Sequence, residues 1–152
     1  MAEKIRFMIL FLALAFSFGG FTFYSAVVIP TGTEVFSATE QGFVTRSVTL
    51  FINLAHAVTL VILIWDGIAI RSQRSRRGNG IFVSLLVVFA ICLVVLVVLH
   101  PRLDGMLDRE DMVVIRPRSF YLWHRAYLWT STVQWLATLG MIGQLSFETR
   151  RS

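Results

Sequence analysis

Hydrophobic residues are concentrated in four long segments of the chain. The segments lie at about residues 7–29, 48–70, 81–99 and 120–147. A helix needs about 20 mainly apolar residues to cross the roughly 30 Å hydrocarbon layer of a membrane, and each segment has that length. Because backbone groups in lipid must be hydrogen-bonded within their own segment, we predict helices. The pattern predicts an all-α, polytopic membrane protein with a single domain, a four-transmembrane-helix bundle.

The first connection and the composition of the third segment lead to further predictions. Pro30 is expected to end or bend the first helix, because proline disrupts a helix interior. Residues 31–47 are then expected to form an ordered loop on the membrane surface, in which Thr33 could open a short helix. The third segment has no charged residue and few polar ones. We therefore expect it to face lipid more than the other three segments do.

The composition agrees with a membrane protein and indicates which partners to expect. Of 152 residues, 56% are hydrophobic and 15% are charged, whereas soluble domains average about 45–50% and 25%. A net charge of +5 would favour nucleic acid in a soluble protein, but here the arginines lie at the ends of apolar segments. We expect the lipid bilayer as partner and no nucleic acid, and a homo-oligomer stays open. The single cysteine, Cys92, excludes an intrachain disulfide.

The distribution of basic residues predicts the orientation. Residues 71–80 read RSQRSRRGNG, with four arginines and no acid, and basic residues in short loops concentrate on the cytoplasmic side. Both termini are basic too, so we predict that both are cytoplasmic. The first segment could instead be a cleaved signal peptide, but its apolar run of about 23 residues exceeds the usual 7–15 and favours a retained span. The short connections and the absence of an organellar presequence favour a bacterial inner membrane.

Polar residues inside the segments are the strongest indicators of function, because they are costly in lipid and usually face other helices or a cavity. In the second segment, Thr49, Asn53 and His56 follow one another at spacings of four and three, which places them on one helical face. The fourth segment carries a similar stripe that runs from His124 to Thr138. Tyr24 lies about five residues from the outer end of the first segment.

The three histidines are expected at converging depths in the outer half of the bundle. We predict that they line an outward-opening pocket between the first, second and fourth segments. Imidazole binds haem iron and transition metals and relays protons, so His56 and His124, with His100 as a further candidate, would be the ligands of any metal or haem held there. Alternatively, His56 hydrogen-bonds across helices to Gln134 or Tyr24. The candidate ligand or proton-relay residues are His56, His124, His100, Tyr24, Asn53, Gln134 and Arg125.

Three functions follow from these observations. The first is a non-enzymatic membrane protein with a structural role or a role in handling small solutes or ions. The second is a haem- or metal-binding membrane redox protein, and the third is an oligomeric transporter or channel subunit. The sequence contains no CxxC or HExxH spacing, no nucleophile motif and no phosphate-binding glycine loop. We therefore do not predict an enzyme, although the redox alternative stays open.

Short motifs also resemble a known family. Residues 19–30, GGFTFYSAVVIP, are similar to the end of the first span in the transmembrane protein 205-like family, and His124-Arg125 resembles the pair that opens its last span. This family is a domain of unknown function, so the resemblance implies a four-helix membrane bundle and no specific chemistry. More distantly, the layout is similar to copper-resistance D-type proteins and to HemJ-type protoporphyrinogen oxidases, which bind haem. A HemJ-type histidine pattern is not matched residue by residue.

Overall fold

A computed structural model of the chain describes residues 1–70, 74–108, 111 and 113–149. The predicted all-α architecture is confirmed, and the connection between the last two helices adds a small hairpin in which Leu107 pairs with Val114. The elements are α1 (Ala2–Phe23), a π-helical turn (Tyr24–Val28), α2 (Ile29–Val35), α3 (Ala38–Ala69), α4 (Arg76–Asp104), β1 (Leu107–Asp108), β2 (Val113–Val114) and α5 (Pro117–Thr149).

Within the described part of the chain, three helical segments are long and apolar enough to cross a membrane. They are Glu3–Val35, Glu40–Ala69 and Arg76–Asp104, and they contain nearly all of the first three predicted segments. The fourth helix, α5, has 33 residues and is long enough, but its hydropathy is lower. Three apolar helices and a more polar fourth one therefore make up the bundle.

The first apolar helix does not end at Pro30. A π-helical turn over Tyr24–Val28 comes just before it, and Pro30 occupies the first turn of α2. A proline has no amide hydrogen, and its ring collides with the carbonyl four residues earlier in a regular helix. The wider π-helical turn, with bonds to the fifth residue, accommodates this proline, and the helix continues to Val35.

The helix α3 begins much earlier than predicted, at a capping box. Ser37 Oγ accepts a hydrogen bond from the Glu40 backbone at 3.3 Å, and Glu40 Oε2 accepts one from the Ser37 backbone at 2.9 Å. The S-x-x-E pattern is typical of a helix start. The predicted helix start at Thr33 is wrong, since Thr33 lies inside α2 and donates to the Pro30 carbonyl at 2.7 Å. The predicted surface loop is reduced to a tight turn around Ser37.

The long helices pack in a ring. The helix α1 contacts α3 and α5, and α4 also contacts α3 and α5. The expectation that the third segment faces lipid most is wrong, because α4 buries six side chains along its length, whereas α1 buries only Leu10, Leu14 and Ser17 among its described residues. The buried residues of α4 are Phe82, Phe89, Cys92, Leu93, Leu96 and Leu99.

Many large apolar side chains lie on the outer surface, while several polar side chains are buried between the helices. Large apolar side chains such as Phe16, Phe51 and Val61 are 67–72% exposed, whereas Asn53 and Gln134 are 5% and 1% exposed. Soluble proteins bury their apolar side chains and expose their polar ones. An apolar outer surface of this extent is suited to lipid, and the polar side chains lie between the helices.

The two ends of the bundle each carry an ion pair. We call the end with residue 1 the terminal end, and the end with the β1–β2 hairpin the hairpin end. At the terminal end, the Asp66 carboxylate forms an ion pair with Arg6 Nε at 3.1 Å and accepts a hydrogen bond from Arg74 Nη2 at 3.2 Å. At the hairpin end, Arg46 of α3 pairs with Asp104 of α4. Each pair ties neighbouring elements together where the apolar packing ends.

Candidate functional site

A cavity of about 360 Å³ lies at the hairpin end, between all the long helices. Ligand pockets usually measure about 300–1,000 Å³ and combine apolar walls with a few polar groups. The walls here are mainly apolar, with polar groups from the π-helical turn, α3, α4 and α5. The apolar wall residues are Phe21, Ile29, Leu103, Leu107, Phe120 and Leu128, and the polar ones include Tyr24, Gln41, Thr45, Thr49, His100, His124 and Tyr127.

The cavity contains only part of the predicted site. Tyr24, His100 and His124 line it, as predicted from their depths in the chain. His56, Asn53, Gln134 and Arg125 do not line it: the first three are buried deeper in the bundle, and Arg125 is exposed. The prediction of one pocket for all three histidines is therefore wrong for His56.

His100 has a structural contact within the cavity wall. Its Nε2 lies 3.0 Å from the Arg46 carbonyl oxygen, and since a carbonyl only accepts, Nε2 carries the hydrogen in this contact. The same carbonyl accepts from Thr49 Oγ1 at 3.0 Å. Because Arg46 also pairs with Asp104, this group of contacts fixes α3 against α4 at the mouth of the bundle.

His124 is held by an aromatic neighbour one turn away. Its ring stacks on Phe120 with centroids 5.6 Å apart and planes 8° from parallel, as residues at a spacing of four on a helix can. Both rings of this stacked pair line the cavity. Arg125 lies on the exposed side of α5, where it has the position of an interfacial anchor.

Among the described residues of the cavity wall, two buried polar atoms have neither a hydrogen-bond partner nor an ion-pair partner. They are the Tyr24 hydroxyl and Gln41 Nε2, on residues that are 5% and 4% exposed. The Thr45 side chain approaches Tyr24 from α3 without completing a hydrogen bond. Buried polar atoms nearly always have a partner in the protein or in bound solvent. These two atoms therefore mark where a ligand or water binds.

The position of Gln41 depends on Gly32 in α2. A Cβ at Gly32 would collide with the Gln41 carboxamide, and Oε1 is the atom that it would meet first. The absence of a side chain at Gly32 allows the amide to lie directly on the α2 backbone, which orients it. The Gln41 amide is therefore both buried and positioned by a neighbouring helix.

Below the cavity, the deeper predicted residues form their own contacts. Asn53 Nδ2 donates to the Tyr127 hydroxyl at 3.1 Å, and Tyr127 belongs to the cavity wall. The His56 ring meets Phe89 edge-on at 5.6 Å and Phe21 at 6.4 Å. The predicted hydrogen bond from His56 to Gln134 or Tyr24 is not formed, since His56 Nδ1, both Gln134 amide atoms and the Tyr24 hydroxyl have no partner.

The residues do not fit the predicted haem or transition-metal site. His124 lines the cavity and His56 does not, so the expected pair of ligands does not face one space. The Nε2 of His100, the remaining histidine, is occupied by the Arg46 carbonyl. In the described part of the chain, no group of three or more His, Cys, Asp or Glu side chains could hold a metal ion.

Several cavity residues were missed by the sequence reasoning. Gln41 and Thr45 continue the stripe of Thr49 and Asn53 backwards at the same spacing of four, and this signal was lost because the second segment was started at residue 48. Arg46 and Asp104 have no sequence signal of this kind, because their pairing depends on how α3 packs on α4.

The function has to be argued from this geometry. The chain matches no protein-family model, no curated protein and no solved structure. The resemblance of residues 19–30 and of His124-Arg125 to the transmembrane protein 205-like family therefore stays a prediction.

Proposed function

We propose that the protein is a four-span integral membrane protein that binds a neutral, mainly apolar small molecule in the hairpin-end cavity. The observation that carries this proposal is the pair of buried, unpartnered polar atoms on Tyr24 and Gln41 in a cavity with apolar walls. Such a cavity has the composition expected of a small-molecule site. The role is non-enzymatic binding or handling of a solute.

The donors and charges of the cavity narrow the class of ligand. Gln41 Nε2 can only donate a hydrogen bond, so the ligand carries an acceptor such as a carbonyl oxygen. The Arg46 and Asp104 charges at the mouth compensate each other, which removes the main attraction for a charged ligand. Phe21 and the stacked Phe120–His124 pair offer aromatic surfaces. A neutral aromatic ketone or amide has these properties.

The side-chain pattern of α5 supports a fourth span. Its polar residues Ser131, Gln134 and Thr138 are 1–6% exposed and face the bundle, whereas Trp129 and Leu136 are 53–63% exposed. Five hydroxyl groups of α5 donate to the carbonyl oxygen four residues earlier, which satisfies them without water. These bonds are Thr130 to Ala126, Ser131 to Tyr127, Thr132 to Leu128, Thr138 to Gln134 and Ser146 to Ile142. Part of the lower hydropathy of α5 thus comes from polar residues on its inward face.

The proposed orientation puts the terminal end in the cytoplasm of a bacterial cell. Basic residues dominate both termini and the connection of residues 71–80, as the positive-inside rule requires of cytoplasmic segments. In a Cys92→Ala background, Asp111→Cys is expected to react with a membrane-impermeant maleimide in intact cells. Ser75→Cys is expected to react only after the cells are opened. Both positions are exposed, so the reverse pattern of labelling would contradict the orientation.

Filling the cavity is expected to weaken ligand binding without unfolding the protein. Gly42 lines the cavity, and a Cβ there would meet nothing within 4 Å, so Gly42→Phe can place its ring in the free space. We expect at least tenfold weaker binding, equivalent to about 1.4 kcal/mol. The measurement is the rise in Tm of the detergent-purified protein with a panel of neutral aromatic ketones and amides, since a ligand stabilises the folded state that binds it.

The matched control for this prediction is Gly20→Phe. Gly20 is exposed on α1, and a Cβ there also meets nothing within 4 Å, so the same ring is added outside the cavity. An equal rise in Tm for wild type and Gly42→Phe would place the ligand elsewhere. If no compound stabilises the wild type more than its hydrocarbon analogue does, the proposed ligand class is wrong.

A further inference from the structure

A second group of buried polar residues lies deeper in the bundle than the cavity. We call it the polar layer. Its residues come from α1, α3 and α5 and are 1–6% exposed, and they are Ser17, Asn53, His56, Thr59, Gln134 and Thr138. At about 1.5 Å per helical residue, Thr138 lies roughly 10 Å deeper than the cavity residue Ser131. The proposed ligand in the cavity does not explain why these polar groups lie so deep.

Part of the polar layer is hydrogen-bonded within the protein. Ser17 Oγ lies 2.9 Å from Thr59 Oγ1, and Thr59 also donates to the Ala55 carbonyl at 2.9 Å. In contrast, His56 Nδ1 and both amide atoms of Gln134 are buried without a partner. A carboxamide with neither its donor nor its acceptor satisfied is costly in an apolar interior. Ordered water molecules usually satisfy such groups.

The polar layer is continuous with the cavity. Asn53 is bonded to Tyr127 of the cavity wall, His56 lies against the wall residue Phe21, and Gln134 follows Ser131 of the wall by one helical turn. Water that enters the cavity from the hairpin end therefore needs to pass only one turn of helix to reach the unpartnered atoms.

An apolar layer closes the other side. Its side chains come from α1, α3, α4 and α5 and are 0–1% exposed. They belong to one packed core cluster, which separates the polar layer from the Asp66 ion pairs at the terminal end. The residues of this apolar layer are Leu10, Leu14, Leu63, Phe82 and Met141.

We propose that water continues the cavity through the polar layer to His56 and Gln134, forming a half-channel that is open at the hairpin end and closed by the apolar layer. The half-channel gives water and small hydrated cations access to the middle of the bundle from one side only. This proposal depends on the cavity and the two layers, and it holds whether or not the cavity binds the proposed ligand.

The test is the reaction of introduced thiols with Ag⁺, a small cation that travels through water. In a Cys92→Ala background, single variants place a thiol at increasing depth: Ser131→Cys in the cavity, Ser17→Cys and Thr138→Cys in the polar layer, and Leu63→Cys in the apolar layer. The first three replace a hydroxyl by a thiol, and Thr138→Cys also removes a methyl group. The unreacted thiol is then counted with a maleimide mass tag after denaturation.

The expected result is a step in rate between the two layers. Ser17→Cys and Thr138→Cys react within about tenfold of the rate of Ser131→Cys, whereas Leu63→Cys reacts at least about 100-fold more slowly, since ions are excluded from apolar interiors. Right-side-out and inverted vesicles are both used, with Asp111→Cys marking the hairpin end, so that an error in the proposed orientation is recognised separately. Polar-layer thiols as slow as Leu63→Cys, or equally fast from both sides, would overturn the half-channel.

Discussion

Asp66→Ala is expected to lower the free energy of unfolding by about 3–5 kcal/mol, because it breaks a buried ion pair by removing one partner. The Asp66 side chain is 3% exposed and forms ion pairs with Arg6 of α1 at 3.1 Å and with Arg74 at 3.2 Å. The Arg74 guanidinium, 2% exposed, lies 3.9 Å above the Phe82 ring. The substitution would therefore leave a buried cation without the carboxylate that compensates its charge.

The matched control is Asp104→Ala at the opposite end of the bundle. The Asp104 side chain is 30% exposed and its partner Arg46 is 16% exposed, so water replaces part of the lost interaction. Pairs of this kind contribute at most about 1 kcal/mol. Unfolding in detergent, followed by circular dichroism during an SDS titration, gives both values. Equal losses for the two variants would mean that burial adds nothing to the Asp66 interactions.

Helix positions were largely predictable from hydrophobic segments, while helix ends were not. An apolar run indicates where a helix is surrounded by lipid or protein. The helix α3, however, begins at the capping box of Ser37 and Glu40, outside any apolar run. Pro30 was expected to end or bend the first helix, and the π-helical turn before it lets the helix continue to Val35. Local hydrogen bonds therefore decided the ends, and a hydropathy pattern does not record them.

The sequence predicted how deep the site residues lie in the bundle, but it predicted only in part where their side chains point. Counting residues from a helix end gives depth directly, and Tyr24, His100 and His124 do line the cavity. The direction in which a side chain points depends on the packing of neighbouring helices. His56 meets Phe89 of α4, which sequence spacing within α3 does not reveal. Gln41 depends on an even more specific contact, the approach of its amide to Gly32 of α2.

Phe82→Ala is expected to lower the free energy of unfolding by about 3–5 kcal/mol, since removing a large core side chain leaves a cavity. Phe82 is 1% exposed and joins three parts of the terminal end. It belongs to the central apolar cluster, lies under the Arg74 guanidinium and contacts α3 at Gly67, where an added Cβ would come within 2.8 Å of its ring.

The contact with Gly67 makes this prediction specific. Gly67→Ala is expected to cost about 1–3 kcal/mol, because the added methyl group overpacks against a ring that the core holds in place. In a Phe82→Leu background the methyl group has more room, so the same substitution is expected to cost less than about 1 kcal/mol, and the two changes are then strongly non-additive. Gly80→Ala serves as the control, because a Cβ there meets nothing within 4 Å.

SDS titration of the four members of this double-mutant cycle measures the coupling directly. Additive losses would show that Gly67 is not required by the Phe82 ring, and that α3 and α4 approach closely for another reason. A strong coupling would instead identify the contact that brings the two helices together in the apolar layer. The apolar layer would then be tightly packed because Gly67 faces the large Phe82 ring. Removing that ring would also open the closed end of the half-channel.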